Sequence, residues 1–129
     1  MEPTCKLKRG DLIEIDRHDG PYQHWAVYIG DDEVVHFVTE GGDSSGSFEL
    51  LSSSGEVKRE NLSVVLRGDR YQINNSLDEK YEARDPSMIV KEACEMVGRV
   101  LQYNVLSYNC EHFATEMRYG VAESWQLCI

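Results

Sequence analysis

Positions 24 to 38 constrain the fold more than any other part of the chain. Two strand-like runs, His24-Trp25-Ala26-Val27-Tyr28-Ile29 and Glu33-Val34-Val35-His36-Phe37-Val38, are separated only by Gly30-Asp31-Asp32. β-Branched and aromatic residues fill both runs, and so short a Gly/Asp connector joins strands as an antiparallel hairpin. A chain containing it is committed to an antiparallel sheet. The register then matters, because a slip of one residue carries every side chain to the other face. With a strict two-residue turn at Asp31-Asp32, position 36 faces Val27, and His24 and His36 point to opposite faces. An odd-numbered loop or a bulge sets position 36 opposite Ala26. Both imidazoles then share one face as diagonal neighbours, roughly 7–8 Å apart at the base of the side chains. The odd register is expected here.

Other segments read from local chemistry. Residues 11–16 alternate as a half-buried strand, and Asp19-Gly20-Pro21 is turn chemistry that leaves His18 in a turn. The Gly/Ser-rich stretches at 41–47 and Ser52-Ser53-Ser54-Gly55 read as a surface loop, equally suited to a lid over the second histidine strand and to a plain solvated connection. Residues 57–66 fit either a strand or a short helix, and Tyr71-Gln72-Ile73-Asn74 fits a short strand. Asp85-Pro86 opens a helix as a cap followed by proline. Ile89, Val90, Ala93, Cys94 and Val97 form its buried stripe, and Gly98 is a stop. Cys94 is assigned to packing.

The last helix carries the reactive candidate. Cys110, Phe113, Ala114, Met117 and Val121 recur at helical spacing, Asn109 precedes them as an N-cap, and Gly120 follows as a stop. The Cys110 sulfur therefore belongs to a first helical turn, where backbone N–H groups and the helix dipole favour thiolate. A thiol nucleophile needs a base, and the base needs a group that sets its tautomer. His24 and His36 are the candidates for those tasks. Zinc is the competing use of Cys110, His112, His24 and His36. It is disfavoured because Cys110 and His112, two residues apart on a helix, project about 200° from each other. His112 is expected to point outward.

Composition narrows the partners. The 129 residues suit one domain, 1–129, and the net charge of −10, from 23 acidic and 13 basic side chains, argues against nucleic acid. No apolar run approaches the roughly 18 residues of a membrane span, and residues 1–9 lack a signal-peptide core. A cytoplasmic protein is expected. Cys5, Cys94, Cys110 and Cys128 are scattered, without a CxxC pair, so neither a disulfide framework nor a zinc ribbon is expected.

Several blocks taken together resemble the phospholipase A/acyltransferase family, also called HRAS-like suppressors, a branch of the lecithin–retinol acyltransferase group in the NlpC/P60 superfamily. They are Gly10-Asp11-Leu12-Ile13-Glu14-Ile15, His24-Trp25-Ala26-Val27-Tyr28-Ile29-Gly30-Asp31, Val34-Val35-His36, Asn109-Cys110-Glu111-His112-Phe113 and Arg118-Tyr119-Gly120. The resemblance spans about residues 7–121. It implies an α+β, circularly permuted papain-like fold, an antiparallel sheet packed against helices. It implies a site with Cys110 as nucleophile, His24 as general base and acid, and His36 as orienting group. Backbone N–H groups at the helix start would meet the oxyanion, with Tyr22, Arg17 and Asn109 as oxyanion or substrate-positioning residues. The implied activity is calcium-independent phospholipase A1/A2 and phospholipid N-/O-acyl transfer through a Cys110 thioester, with no metal and no cofactor. Glycerophospholipids at a membrane surface would be the substrates. Water, phosphatidylethanolamine or a lysophospholipid would be the acceptors, for a monomer that meets the membrane peripherally.

Three departures from the family pattern stand out. Members commonly carry a hydrophobic C-terminal anchor, whereas here a short tail, Glu123 to Ile129, is expected without a transmembrane anchor. Asp32 replaces the second glycine of the usual Gly-Asp-Gly turn, and residues 40–55 diverge. Two other classes share the pattern. One is a non-enzymatic interaction module of the same fold, as in certain viral 2A proteins with a histidine box and an Asn-Cys pair. The other is a cysteine peptidase or amidase.

Overall fold

The computed structural model describes residues 6–17, 23–39, 52–104 and 108–123. The chain forms β1 (Leu12–Ile15), β2 (His24–Gly30), β3 (Glu33–Thr39), β4 (Ser52–Asn61), α1 (Leu62–Leu66), β5 (Tyr71–Ile73), a 3-10 turn at Ser76–Glu79, α2 (Pro86–Met96), β6 (Val100–Asn104) and α3 (Cys110–Tyr119). The strands make one sheet in the order β5-β1-β2-β3-β4-β6, with every neighbouring pair antiparallel. Helices cover both faces, giving the α+β arrangement of an antiparallel sheet packed against helices.

The β2–β3 hairpin adopts the odd register. Val27 pairs with Val35 and Tyr28 with Val34, but Gly30 pairs with Glu33, so the register shifts at Ile29. Asp31 (φ 55°) and Asp32 (φ 61°) take the left-handed conformation at the turn, which aspartate tolerates better than most residues and which matches the twist of a hairpin. The Tyr28 hydroxyl accepts the Asp32 N–H at 3.0 Å. Continuing the pairing from Val27–Val35 puts position 36 opposite Ala26.

The serine stretch overturns one expectation. Ser52-Ser53-Ser54-Gly55 is part of β4, paired with β6 on one side from Ser52–Asn104 to Glu56–Val100, and with β3 on the other from Gly55 onward. Pairing with β6, continued by β3 from Gly55, outweighs a composition that favours loops. Gly55 belongs there for a steric reason: a Cβ would lie 2.8 Å from Cε1 and Cζ of Phe37 and 3.0 Å from Cδ2 of Tyr103. The lid reading of residues 40–51 lies outside the described residues. Residues 57–66 turn out to be both alternatives in succession, strand to Asn61 and then α1. Asn61 makes the switch, its Oδ1 accepting the Ser63 N–H at 3.0 Å.

Alternation along the strands divides the core in two. Trp25, Val27, Val35, Phe37, Val57 and Tyr103 pack against Ile89 and Ala93 of α2 and Phe113, Ala114 and Met117 of α3. On the reverse face Ile13, Ile15, Ala26, Tyr28 and Val34 pack against Leu62 and Val65 of α1. Asp85 caps α2, its carboxylate accepting the Ser87 N–H at 3.1 Å. Val97 departs from the expected buried stripe: α2 ends at Met96, Val97 turns to ψ 133°, and its side chain is 39% exposed. Among the described residues, no helix is long and apolar enough to cross a membrane.

Candidate active site

The site begins with a cap. Asn109 is extended (φ −120°, ψ −168°), and its Oδ1 accepts the N–H groups of Glu111 at 2.9 Å and His112 at 3.1 Å. His112 reciprocates, its Nδ1 accepting the Asn109 N–H at 3.0 Å. This is a capping box with an imidazole where glutamate or glutamine is usual. His112 is therefore turned inward rather than outward, buried and stacked on Tyr108 with centroids 6.1 Å apart. Helical spacing alone pointed it to solvent; the unmet N–H of Asn109 draws it back. Burial lowers the His112 pKa, which keeps Nδ1 an acceptor.

Cys110 opens α3 and is almost fully buried. Its N–H donates to the Tyr103 hydroxyl at 3.2 Å, and the Phe113 N–H donates to the Asn109 carbonyl at 3.0 Å. The first-turn N–H groups expected to await an oxyanion are thus taken up by Tyr103 and Asn109 in this conformation. The sulfur lies 3.8 Å from the carbonyl oxygen of Gln23, the residue before His24. Among the described residues, no group of three or more His, Cys, Asp or Glu is arranged to hold a metal ion.

The two histidines form a directly bonded pair. His24 Nε2 and His36 Nδ1 are 2.8 Å apart, with ring centroids at 5.0 Å and planes at 75°. His36 continues outward: its Nε2 lies 2.9 Å from Oε2 of Glu60 on β4. Sequence reading missed Glu60, which is 24 residues from His36 and becomes its diagonal neighbour only through the β3–β4 register, where His36 faces Lys58 and Val34 faces Glu60. His24 is fully buried, and its Nδ1 has no hydrogen-bond partner among the described residues. Its pKa is held well below the usual histidine range, first by burial, then by repulsion from His36 and from the guanidinium groups of Arg17 and Arg67. By alternation the imidazole pair lies on the α1 face of the sheet, while α3 packs on the other. The sulfur reaches the start of β2 at the Gln23 carbonyl, one residue before His24.

Arg17 is buried, and its guanidinium donates to the carbonyls of Leu66 (3.0 Å) and Val65 (2.6 Å) and to Asp69 (2.7 Å). It ties the end of β1 to α1. Asn109 holds the cap, and Tyr22 lies outside the described residues.

Residues 5–123 match the lecithin retinol acyltransferase family. The chain is similar to three curated proteins in particular. It is 48% identical over 129 residues to phospholipase A and acyltransferase 4 of Homo sapiens, covering 97% of this chain and 77% of that protein. Identity to phospholipase A and acyltransferase 2 of Homo sapiens is 44% over 122 residues, covering 92% and 74%. Identity to phospholipase A and acyltransferase 3 of Mus musculus is 40% over 131 residues, covering 98% and 80%.

Proposed function

The chain belongs to the lecithin retinol acyltransferase family, and from that membership we propose that it is a thiol-dependent phospholipase A1/A2 and phospholipid acyltransferase. Cys110 is its nucleophile, His24 its general base and acid, and His36 the group that orients His24. The observation that carries this reading is the buried His24–His36 hydrogen bond. It occupies Nε2 of His24 and leaves Nδ1 as the nitrogen with no partner among the described residues, on the residue next in the chain to the carbonyl that the Cys110 sulfur touches.

In the proposed reaction His24 Nδ1 takes the thiol proton. The sulfur then attacks an ester carbonyl of a glycerophospholipid, and the carbonyl electron pair moves to oxygen. The Cys110 N–H leaves the Tyr103 hydroxyl and donates to that oxyanion. As the tetrahedral species collapses, the C–O bond breaks and the departing alkoxide takes the proton from His24. A lysophospholipid leaves, and an acyl-thioester remains on Cys110. Water, the amine of phosphatidylethanolamine or the hydroxyl of a lysophospholipid then attacks the thioester carbonyl, giving its proton to His24 Nδ1. The thiolate is expelled and reprotonated. The low His24 pKa keeps the resting base neutral, with a free lone pair to take the thiol proton. Asn109 positions the sulfur through the cap, while Arg17 acts through its charge beside His24, and Tyr22 assists at the substrate side. Every proposed step uses protein groups, so activity should be independent of calcium. The protein would act as a cytoplasmic monomer, transiently at a membrane surface.

The test is incubation with mixed-acyl phosphatidylcholine, wild type against Cys110→Ser, followed by mass measurement of intact protein. The expected result is acyl release and a protein one acyl group heavier in wild type, with neither in Cys110→Ser. Absence of both in wild type would favour a non-enzymatic interaction module, and cleavage of peptide but not lipid would favour a peptidase or amidase.

A further inference from the structure

A hydrogen-bonded imidazole pair is ambiguous, because the proton between the rings can belong to either one. If it sits on His36 Nδ1, then His24 Nε2 is the acceptor, and a neutral His24 carries its proton on Nδ1. In that tautomer His24 has no lone pair for a thiol proton. If it sits on His24 Nε2, Nδ1 is bare and can act as the base. Nothing within the pair chooses between these states.

Glu60 chooses. Its Oε2 lies 2.9 Å from His36 Nε2, and a carboxylate accepts hydrogen bonds but cannot donate them. His36 must therefore carry its proton on Nε2, and a neutral ring then has its lone pair on Nδ1. That lone pair accepts from His24 Nε2 across 2.8 Å. We propose that Glu60 is a positioning residue that sets the tautomers of both histidines in series and so makes His24 Nδ1 the base. The proposal rests on the nucleophile and base reading above, but concerns atoms that reading does not use.

Two further observations fit this role. The pair is polarised along its length: His24 is fully buried, whereas the Glu60 side chain is a third exposed at an opening it shares with Lys58, Arg17 and Arg67. These cations come from β4, the segment just after β1 and the end of α1. Arg17 and Arg67, by repelling a protonated His24, oppose a second proton on the pair. That proton would make His36 Nδ1 a donor, force His24 Nε2 to accept, and move the remaining His24 proton onto Nδ1. The arrangement parallels the acidic member of hydrolase triads, which holds an imidazole in one tautomer without itself taking a proton. Here a second imidazole is interposed.

Long-range proton–nitrogen NMR correlations on the imidazole rings of the full chain read the tautomers directly. In wild type at neutral pH, both His24 and His36 should show the neutral form protonated at Nε2. Glu60→Gln keeps the size of the side chain, but its amide can donate as well as accept, so the two rings should shift to mixed tautomers. Its kcat on phosphatidylcholine should fall about ten- to a hundredfold, the range seen when an outer-shell partner of a functional histidine is lost, with KM within about twofold. Glu60→Asp should recover part of the rate. The acid limb of the pH–rate profile should move in Glu60→Gln and return towards wild type in Glu60→Asp. The proposal is overturned if the wild-type rings carry their protons on Nδ1. It is equally overturned if Glu60→Gln folds and leaves ring signals, rate and pH profile unchanged. Should Glu60→Gln fail to fold, the wild-type spectrum alone decides. Should wild type form no thioester, the catalytic reading fails while the ring signals still judge Glu60.

Discussion

Position 55 shows how a single residue can carry a whole strand pairing. The rings of Phe37 and Tyr103 stack with centroids 4.9 Å apart, and the Gly55 backbone lies directly against them. Gly55→Ala should lower stability by about 1–3 kcal/mol, the usual penalty for overpacking a filled site, measurable as a lower urea midpoint at unchanged m-value. Because Tyr103 also receives the Cys110 N–H, the same substitution should slow thioester formation. Arg17 is a second residue-scale case. Arg17→Met leaves the Val65 and Leu66 carbonyls and the partly exposed Asp69 without their donor, and should cost about 1–3 kcal/mol. It also removes a charge that lowers the His24 pKa, so the acid limb of the pH–rate profile should move to higher pH. An unmoved acid limb with a KM raised more than tenfold would instead mark Arg17 as a direct substrate contact.

Among the elements, α3 couples folding to chemistry most tightly, since one cap both starts the helix and sets the sulfur. Asn109→Ala removes the acceptor for two N–H groups and should cost about 1–2 kcal/mol. Asn109→Asp keeps both bonds and should hold stability within about 0.5 kcal/mol. Its added negative charge beside Cys110 disfavours the thiolate, so alkylation by iodoacetamide should be slower than in wild type. Equal alkylation rates would show that the field at the helix start does not govern the sulfur. The sequence displayed this element well: Asn109, the apolar spacing and Gly120 (φ 80°) all act within a few residues of one another. It did not display the inward turn of His112, because a histidine completing a capping box has no distinctive spacing signal.

At the scale of the molecule, the buried histidines link stability to pH. His24 is held low by burial, His36, Arg17 and Arg67, and His112 by burial. Below the ordinary histidine value of about 6.5, the unfolded chain binds protons that the folded chain refuses. Stability from these groups is therefore complete above about pH 6.5 and declines as pH falls, with a slope approaching ~1.4 kcal/mol per pH unit for each proton. Urea unfolding at pH 7.5 and at pH 5.0 should show the loss. His112→Gln, which can still accept the cap hydrogen bond, should remove one proton's share of the slope; an identical slope would show that His112 titrates normally in the folded state.

What the sequence alone determined was local. The β2–β3 hairpin, the caps at Asp85 and Asn109 and the stripe of α3 depend on residues at most a few positions apart, so their signals survive without tertiary information. The shared face of His24 and His36 is also local, set by the register shift at Ile29 beside the two-residue turn. Only the tertiary structure decided that a serine run would be a strand, since that required β6 beside it and β3 from Gly55 onward. It alone placed Glu60 behind His36 and the Tyr103 hydroxyl against the Cys110 N–H. The reason is physical: backbone propensity and capping act through neighbours in the chain, whereas strand pairing brings together residues whose types carry no record of whom they will meet.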